Sequence, residues 1–593
     1  MSEGAGLPRR GLLGLVAVGA LAGCGLDTDS TVTPGLRIDG QPSEPLVRTP
    51  NGPRQGASPE DIIRGFVHAG STSGEGLEVT RSYLTDEQAR AWIPDSTTVV
   101  YAGNDPQIRR VPHGKDTYRA RARVIATIDQ VGRYSAAPPN LWETFDFAMT
   151  QVDGEWRIDD LEEGFGRLLQ QEEVDAVFGD YFVHYPAIGW NVLVVDKRWF
   201  PLDQLATRIA RAQTGGIPEY LVDAVSSDTG ARLAVDAVPV RDGVAEVDID
   251  SASISGDTSV RKRLAAQLVA SLMQVPEVRE VAITLSGNAL DVGVDGPLTK
   301  KEQFGFIDRD KSSPPIVLGR RGTKVVSVDD RLSSVTASAI RRASSPFAAI
   351  PRSSQLLGLS PDGKEMAVVN RTRRTLSRYR DDGSIVDVAP FAAQMSRPCY
   401  DFGGVLWVGG LGLGREDGRR LWAINSTVDP DDVRDAAPQD VPAPWLDERF
   451  VVAAVLSPEG SRIAVISEAR RGTGSALDIA GVARRSNGLP TKTSPEAFRI
   501  AADLVEMVDA VWVGESTLAI IGRRDKQTRL QPYLVQVGGR TTPMASRPGM
   551  ARVTTTGDHK DVVLTSEGGR VVQRSGGRWQ ELTTLSGVVT AGV

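Results

Sequence analysis

Apolar and polar residues alternate with a period of two in many short stretches of the chain, which is typical of half-buried β-strands. The clearest stretch runs from Tyr118 to Ile128, where six apolar residues alternate with arginines in its first half. Helical spacing is rarer, and its best example is the apolar group Ile62 to Val67 after the helix-start signal Ser58 to Asp61. The pattern predicts a multi-domain, mainly β chain with few helices.

Residues 58–170 read as the first domain. A second helix-start signal lies at Thr85 to Gln88, and the segments on either side of Asp153-Gly154 predict a hairpin on a tight turn. Helices followed by a sheet that ends in Gly-Glu-Trp-Arg-Ile resemble the nuclear-transport-factor-2-like (NTF2-like) fold, which implies an α+β domain. We see no His-Asp constellation in this stretch and therefore predict a scaffold rather than a catalytic domain.

Residues 181–295 read as the second domain. The pattern predicts a buried strand at Trp190 to Val195, a helix at Leu202 to Ala212, and a second helix from Leu264 to Gln274. The segments 243–248, 266–272 and 278–283 resemble the GerMN domain of sporulation and germination proteins, which implies a small α/β assembly module without catalysis. That family has a small residue and Thr where this chain has Ala270-Ser271, and we interpret the change as tolerated on the helix surface.

Residues 312–593 read as the third domain, because an internal repeat appears there. Leu359 to Val369 recurs as Leu456 to Ile466, and each copy holds a Ser-Pro-Asp/Glu-Gly turn between two strands. Weaker copies lie around Val405–Val408, Thr517–Ile520, Asp561–Leu564 and Lys324–Ser327. The spacing of about 40 to 57 residues is typical of propeller blades and predicts a β-propeller of about six blades. Seven blades and a β-sandwich remain alternatives.

Charge and composition exclude some functions. The chain has 593 residues with 68 Lys and Arg against 75 Asp and Glu, a net charge of −7. A mildly acidic chain is a poor candidate for nucleic-acid binding, which requires a basic surface along the phosphates. We predict no nucleic-acid partner.

The first residues predict export and anchoring. Arg9 and Arg10 precede an apolar run from Gly11 to Ala22, which is too short for a mature membrane span. The sequence Leu-Ala-Gly-Cys ending at Cys24 resembles a bacterial lipobox, with an ordinary secretory signal as the alternative. The resemblance implies a signal peptide at 1–23, N-palmitoyl and S-diacylglycerol groups on Cys24, and a membrane-anchored protein on the extracytoplasmic face. The Pro- and Gly-rich residues 24–57 predict a flexible tether.

Motifs for chemistry are sparse. The four histidines (His68, His113, His184 and His559) are far apart, without zinc-ligand spacing. Neither a nucleophile elbow nor a phosphate-binding loop is present. Cys399 would be the only free thiol of the lipidated protein, and we interpret it as a buried structural residue. We predict no catalytic, cofactor-binding or metal-binding residues, and no enzyme.

The order of lipobox, tether, NTF2-like domain, GerMN domain and propeller resembles the actinobacterial lipoprotein LpqB family. The resemblance implies a non-catalytic accessory protein of the MtrA-MtrB two-component system, which contacts the extracytoplasmic domain of the MtrB-like sensor kinase and affects cell-wall homeostasis and division. A lipoprotein whose propeller binds a solute or the cell wall is the alternative. The contact residues, any ligand of the propeller channel and the oligomeric state stay open.

Overall fold

The structure, a computed structural model, describes residues 50–74, 76–112, 115–226, 230–254, 256–308, 316–328, 346–414, 418–429, 432, 434–446, 448–470 and 474–591. Cys24, the predicted signal peptide and His113 lie outside the described residues.

The first domain begins with three short helices, of which the first carries a buried apolar face. The Ser58 hydroxyl accepts a hydrogen bond from the amide of Asp61 at 3.2 Å, and Pro59 occupies the first turn, so the predicted start signal is confirmed. The predicted start at Thr85 is confirmed in the same way. The helices are α1 (Pro59–Ala69), α2 (Gly76–Arg81) and α3 (Asp86–Ala91), and the short α4 (Val174–Val177) follows the sheet of this domain.

A seven-stranded sheet covers these helices. Its strands are β1 (Thr97–Tyr101), β2 (Gln107–Arg110), β3 (Thr117–Asp129), β4 (Tyr134–Ala136), β5 (Trp142–Val152), β6 (Glu155–Leu161) and β7 (Arg167–Gln170). The order is β6-β5-β3-β1-β7, and β2 and β4 also pair with the long β3. Asp153 and Gly154 both have positive φ, 53° and 82°, as a two-residue type I′ hairpin turn requires. The predicted hairpin and the α+β class are confirmed.

The second domain joins a hairpin to a small mixed sheet. Its elements are β8 (Phe178–Pro186), β9 (Leu193–Pro201), α5 (Leu205–Thr214), β10 (Val240–Arg241), β11 (Val244–Ile249), α6 (Thr258–Leu272), β12 (Glu280–Leu285) and β13 (Asn288–Ala289). The sheet order is β10-β11-β12-β13 with β11 and β12 parallel, which confirms an α/β domain. The predicted strand at Trp190 to Val195 is displaced: β9 begins at Leu193 and continues to Pro201, because it pairs with β8 along its whole length.

The third domain is built from strands β14 to β39. The first half contains β14 (Ile316–Arg321), β15 (Lys324–Val328), β16 (Ser354–Leu359), β17 (Glu365–Asn370), β18 (Leu376–Arg380), β19 (Ile385–Asp387), β20 (Ala392–Ala393), β21 (Cys399–Tyr400), β22 (Val405–Gly409), β23 (Leu411–Gly412), β24 (Leu421–Asn425) and β25 (Gln439–Asp440). The second half contains β26 (Arg449–Leu456), β27 (Arg462–Ala469), β28 (Ser475–Arg484), β29 (Pro490–Thr493), β30 (Phe498–Ile500), β31 (Glu506–Trp512), β32 (Thr517–Arg523), β33 (Gln531–Gln536), β34 (Thr541–Pro543), β35 (Met550–Thr555), β36 (Val562–Ser566), β37 (Arg570–Ser575), β38 (Arg578–Thr584) and β39 (Val588–Ala591).

Within the described residues these strands form the six blades of a β-propeller, as predicted. Blades 2 to 6 begin with the inner strands β16, β21, β26, β31 and β35. Blade 1 is closed by the end of the chain, because β39 supplies its inner strand and pairs with β14, which pairs with β15. The prediction that Lys324–Ser327 is a copy of the repeat was therefore wrong. The second strand of blade 1 is β14, and Lys324 lies on the third strand, β15.

The second domain is docked on blades 4 and 5 of the propeller. All nine residues of β9 are buried, and one continuous apolar core joins this domain to β26–β28 and β31–β33. A polar contact adds to this core, because Arg462 donates to the carbonyl of Val195 at 3.0 Å. The propeller also binds the first domain, where Arg540 forms two hydrogen bonds with Asp175 at 2.8 and 2.9 Å. Because apolar burial and directional contacts act together here, the two domains behave as one body.

Candidate functional site

The predicted alternation along β3 produces a continuous basic surface. The side chains of Arg119, Arg121 and Arg123 all point to the solvent side of the sheet. The neighbouring strands extend this surface, since Arg109 of β2 lies opposite Arg119, and Trp142 of β5 lies opposite Arg123. We call these five residues the arginine face.

The electrostatics of the arginine face leave positive charge exposed. Arg119 binds Asp146 with two hydrogen bonds of 2.6 Å, and the hydrogen bonds lower the pKa of that carboxyl group. The Arg121 guanidinium lies 4.7 Å from the ring centroid of Trp142, whose side chain is 44% exposed. Arg109 and Arg123 form no ion pair with any residue in the described part of the chain. The face therefore presents an aromatic ring beside unneutralised guanidinium groups.

A histidine and a carboxylate meet elsewhere in the first domain, although we predicted no such pair. The Nε2 atom of His68, in the last turn of α1, lies 3.1 Å from an Asp105 oxygen, and both side chains are more than 40% exposed. No hydroxyl or thiol is hydrogen-bonded to the His68 ring among the residues described. The pair is an exposed side-chain hydrogen bond between a helix end and a loop, and its separation of 37 residues gave no signal in the sequence.

A buried polar network lies inside the second domain. The Nδ1 atom of His184 is 3.0 Å from the Ser271 hydroxyl, which donates to the side-chain carbonyl of Gln213 at 2.7 Å. Burial, with a smaller contribution from Lys301, lowers the pKa of His184 to about 3, so the imidazole is neutral at neutral pH. The interpretation that Ser271 lies on the helix surface was wrong, because this side chain is fully buried and belongs to the network.

The propeller encloses an axial channel. A cavity of about 380 Å³ is lined by the inner strands of all six blades. Cys399, whose side chain is partly buried, lies on its wall, and burial raises the pKa of the thiol to about 12. A thiol with so high a pKa is a poor nucleophile at neutral pH.

No group of three or more His, Cys, Asp or Glu side chains is placed to hold a metal ion within the described ranges. No described helix has the length and apolar character needed to cross a membrane.

Three family models match the chain in succession. The model of the N-terminal domain of lipoprotein LpqB matches residues 52–175, and the model described as sporulation and spore germination matches residues 181–291. The model of the lipoprotein LpqB β-propeller domain matches residues 330–590.

Curated relatives align with most of the chain. Lipoprotein LpqB of Thermobifida fusca is 27% identical over 535 residues, which are 83% of each chain. Lipoprotein LpqB of Streptomyces coelicolor is 26% identical over 620 residues, or 95% of this chain and 94% of the relative. The protein of the same name from Cutibacterium acnes is 25% identical over 99% of both chains.

Solved structures resemble only part of the chain. A chain of the nidogen/laminin complex matches with a TM-score of 0.33 and 12% identity, covering 47% of this chain and 98% of that one. A putative TolB from Agrobacterium tumefaciens matches with a TM-score of 0.30 and 14% identity, covering 45% and 87%.

Proposed function

The chain belongs to the LpqB lipoprotein family, and from this premise we propose that it is a non-catalytic surface lipoprotein that acts as an accessory of a sensor kinase. In this proposal Cys24 carries the lipid, and the folded domains lie on the extracytoplasmic side of the cell membrane. The partner is the extracytoplasmic domain of an MtrB-like kinase of the MtrA-MtrB system, with consequences for cell-wall homeostasis and division.

The arginine face is the observation that supports a protein partner. Arg and Trp are enriched at the energetically dominant positions of protein interfaces, and here Arg121 is stacked on an exposed Trp142. The unneutralised Arg109 and Arg123 on either side favour an acidic partner surface. A sensor domain with an acidic patch meets these requirements.

Lipid anchoring makes a weak contact sufficient. The first domain begins at residue 58, so the arginine face lies in the domain that follows the anchor directly along the chain. Confining two proteins to one membrane plane raises the effective concentration of each for the other. A modest intrinsic affinity therefore maintains the complex in the membrane.

A non-catalytic role agrees with the state of the reactive groups. His184 is held neutral inside a hydrogen-bond network, and the thiol of Cys399 has a raised pKa. Their surroundings serve packing rather than proton transfer or nucleophilic attack.

The test is co-purification of the kinase with the lipidated protein from membranes, combined with measurement of response-regulator phosphorylation. The double variant R121E/R123E should lose the kinase and change phosphorylation as a deletion does, because reversed charges repel an acidic partner. The control is R90E, which changes an exposed arginine on α3 that is not part of the arginine face. If R121E/R123E still co-purifies with the kinase, the arginine face is not the surface that contacts it. If the native protein forms no complex and its loss leaves phosphorylation unchanged, the kinase proposal fails.

A further inference from the structure

The propeller channel has a second cavity at its other end. This cavity, of about 240 Å³, lies where the inner strands begin, and we call it the channel mouth. Five aliphatic residues contribute to its wall together with three arginines, Arg373, Arg397 and Arg552, and two acidic residues, Asp509 and Glu567. Half of the lining residues are therefore charged, and converging charged groups in a recessed cavity are the feature that fixes a polar ligand.

Arg397 forms the floor of the channel mouth. Its guanidinium reaches from the start of blade 3 across the channel, where it lies 3.1 Å from Asp509 and donates to the carbonyls of Ala510 and Val553 at 3.2 and 3.3 Å. The second oxygen of Asp509 accepts the amide of Val553 at 2.8 Å. Arg397 lines both cavities and thus separates them. Its charge is balanced by Asp509, so it provides a rigid base.

The other two arginines are not balanced in this way. Among the described residues, the side chain of Arg552 donates only to the carbonyl of the adjacent Ala551, at 2.9 Å, and forms no ion pair. Burial lowers the pKa of Arg552. The negative charges of Asp509 and Glu567 oppose this shift, whereas the positive charges of Arg397 and Arg373 add to it. Among the described residues that line the cavity, Asp509 is bound to Arg397, so Glu567 is the remaining carboxylate for both Arg552 and Arg373. An added anion would relieve this excess of positive charge.

The turns around the channel mouth strengthen its positive potential. The turns of blades 2, 5 and 6 that border the cavity carry Arg371, Arg374, Lys526, Arg529 and Arg570. Asp525 is the acidic residue on these turns besides Glu567. At the opposite end of blade 2 the turns carry Asp362, Asp381 and Asp382. The turns that border the cavity therefore carry more basic than acidic residues, and a recessed cavity concentrates the field of these charges.

We propose that the channel mouth binds a phosphate or carboxylate group, with Arg552 and Arg373 as the recognising donors and Arg397 as the floor. The planar guanidinium forms paired hydrogen bonds with both kinds of group. The group would belong either to a free solute or to the headgroup of an anionic lipid. This site is independent of the proposed kinase contact, which uses the first domain.

The experiment is isothermal titration of the lipidated full-length chain, in detergent, with inorganic phosphate and with citrate. We expect saturable binding at one site per chain. The affinity should fall by at least about tenfold in R552Q and in R373Q, since each loses charge-assisted hydrogen bonds. R552K, which keeps the charge but loses the paired geometry, should fall between R552Q and the native chain. The control is R485Q, an exposed arginine on a turn at the opposite end of blade 4.

A second arm identifies the source of the group. Flotation with vesicles that contain phosphatidylglycerol, against vesicles of phosphatidylcholine alone, tests a lipid headgroup with the same variants. Loss of vesicle binding in R552Q but not in R485Q would support the site and assign it to lipid. Saturable binding in the titration without binding to vesicles would assign it to a solute. Equal losses in R552Q and R485Q, or no binding in either arm, would overturn the proposal. Matching circular dichroism spectra and melting temperatures would show that the variants are folded.

Discussion

Trp199 of the second domain donates its indole N–H to the carbonyl of Gly538, 339 residues later in the propeller, at 2.9 Å. The same indole ring lies 5.4 Å from the Tyr134 ring of the first domain and 4.9 Å from the Arg540 guanidinium of the propeller. One side chain therefore contacts all three domains.

Replacing Trp199 should weaken this junction. W199F keeps most of the apolar contact but leaves the buried Gly538 carbonyl without its donor, a cost of about 1–3 kcal/mol in the free energy of unfolding. W199A should cost about 3–5 kcal/mol, because it also leaves a cavity. Chemical denaturation followed by circular dichroism measures both values.

The matched control is W142F, since Trp142 is 44% exposed. This substitution should change the free energy of unfolding by no more than about 0.5 kcal/mol. A W199A protein as stable as the W142F protein would show that the junction does not contribute to folding.

Acid should destabilise the second domain through His184. The pKa of this imidazole is about 3 in the folded protein, against 6.5 when unfolded, so below pH 6.5 the unfolded chain binds a proton that the folded chain does not. The free energy of unfolding should therefore fall as pH falls from about 6.5 to 3, by up to about 1.4 kcal/mol per pH unit from this group. Denaturation at several pH values should show a shallower slope for H184Q.

The comparison variant is H559Q, because His559 is more than 40% exposed. Its pH dependence should match that of the native protein. A native slope unchanged by H184Q would mean that folding does not lower the pKa of His184.

Cys399 should resist alkylation in the folded protein. With a pKa of about 12, only about one thiol in ten thousand is ionised at pH 8, whereas an unfolded cysteine ionises near pH 8.5. We expect iodoacetamide to react at least about a hundredfold more slowly with the native protein than in denaturant. Mass spectrometry of the C24A form, in which Cys399 is the single thiol, gives both rates; equal rates would contradict the burial described here.

Cys24 should determine where the protein is found. In C24A the lipid acceptor is missing, so the protein should move from the membrane to the soluble or unprocessed fraction. Fractionation with a high-salt wash separates the outcomes, and C399A is the control that removes a cysteine without touching the anchor. Normal processing and continued membrane association of C24A would contradict lipidation at this position.

Local signals in the sequence predicted local structure well. The Ser58 cap, the Asp153-Gly154 turn and the period of two along β3 each depend on neighbouring residues, and each was confirmed. The arginine face follows from the same pattern, but the contribution of Trp142 depends on the register between β5 and β3.

Features that depend on distant parts of the chain were missed. Ser271 is polar and looks exposed by composition, but its burial depends on His184 and Gln213 from other elements. The channel mouth combines Arg373, Arg397 and Arg552 from three blades, and nothing local marks them as neighbours. Lys324–Ser327 does form a strand, but it was assigned to the wrong position in its blade because the inner strand of that blade comes from the other end of the domain.

The closure of blade 1 by β39 delays completion of the ring during synthesis. Domains fold as units while the chain is made, beginning with the N-terminal one. Blade 1 stays without its inner strand until Val588–Ala591 have been added, whereas the second domain and blades 4 and 5 can dock before that point. Until then the edge of β14 that pairs with β39 is open, and an unpaired strand edge favours aggregation.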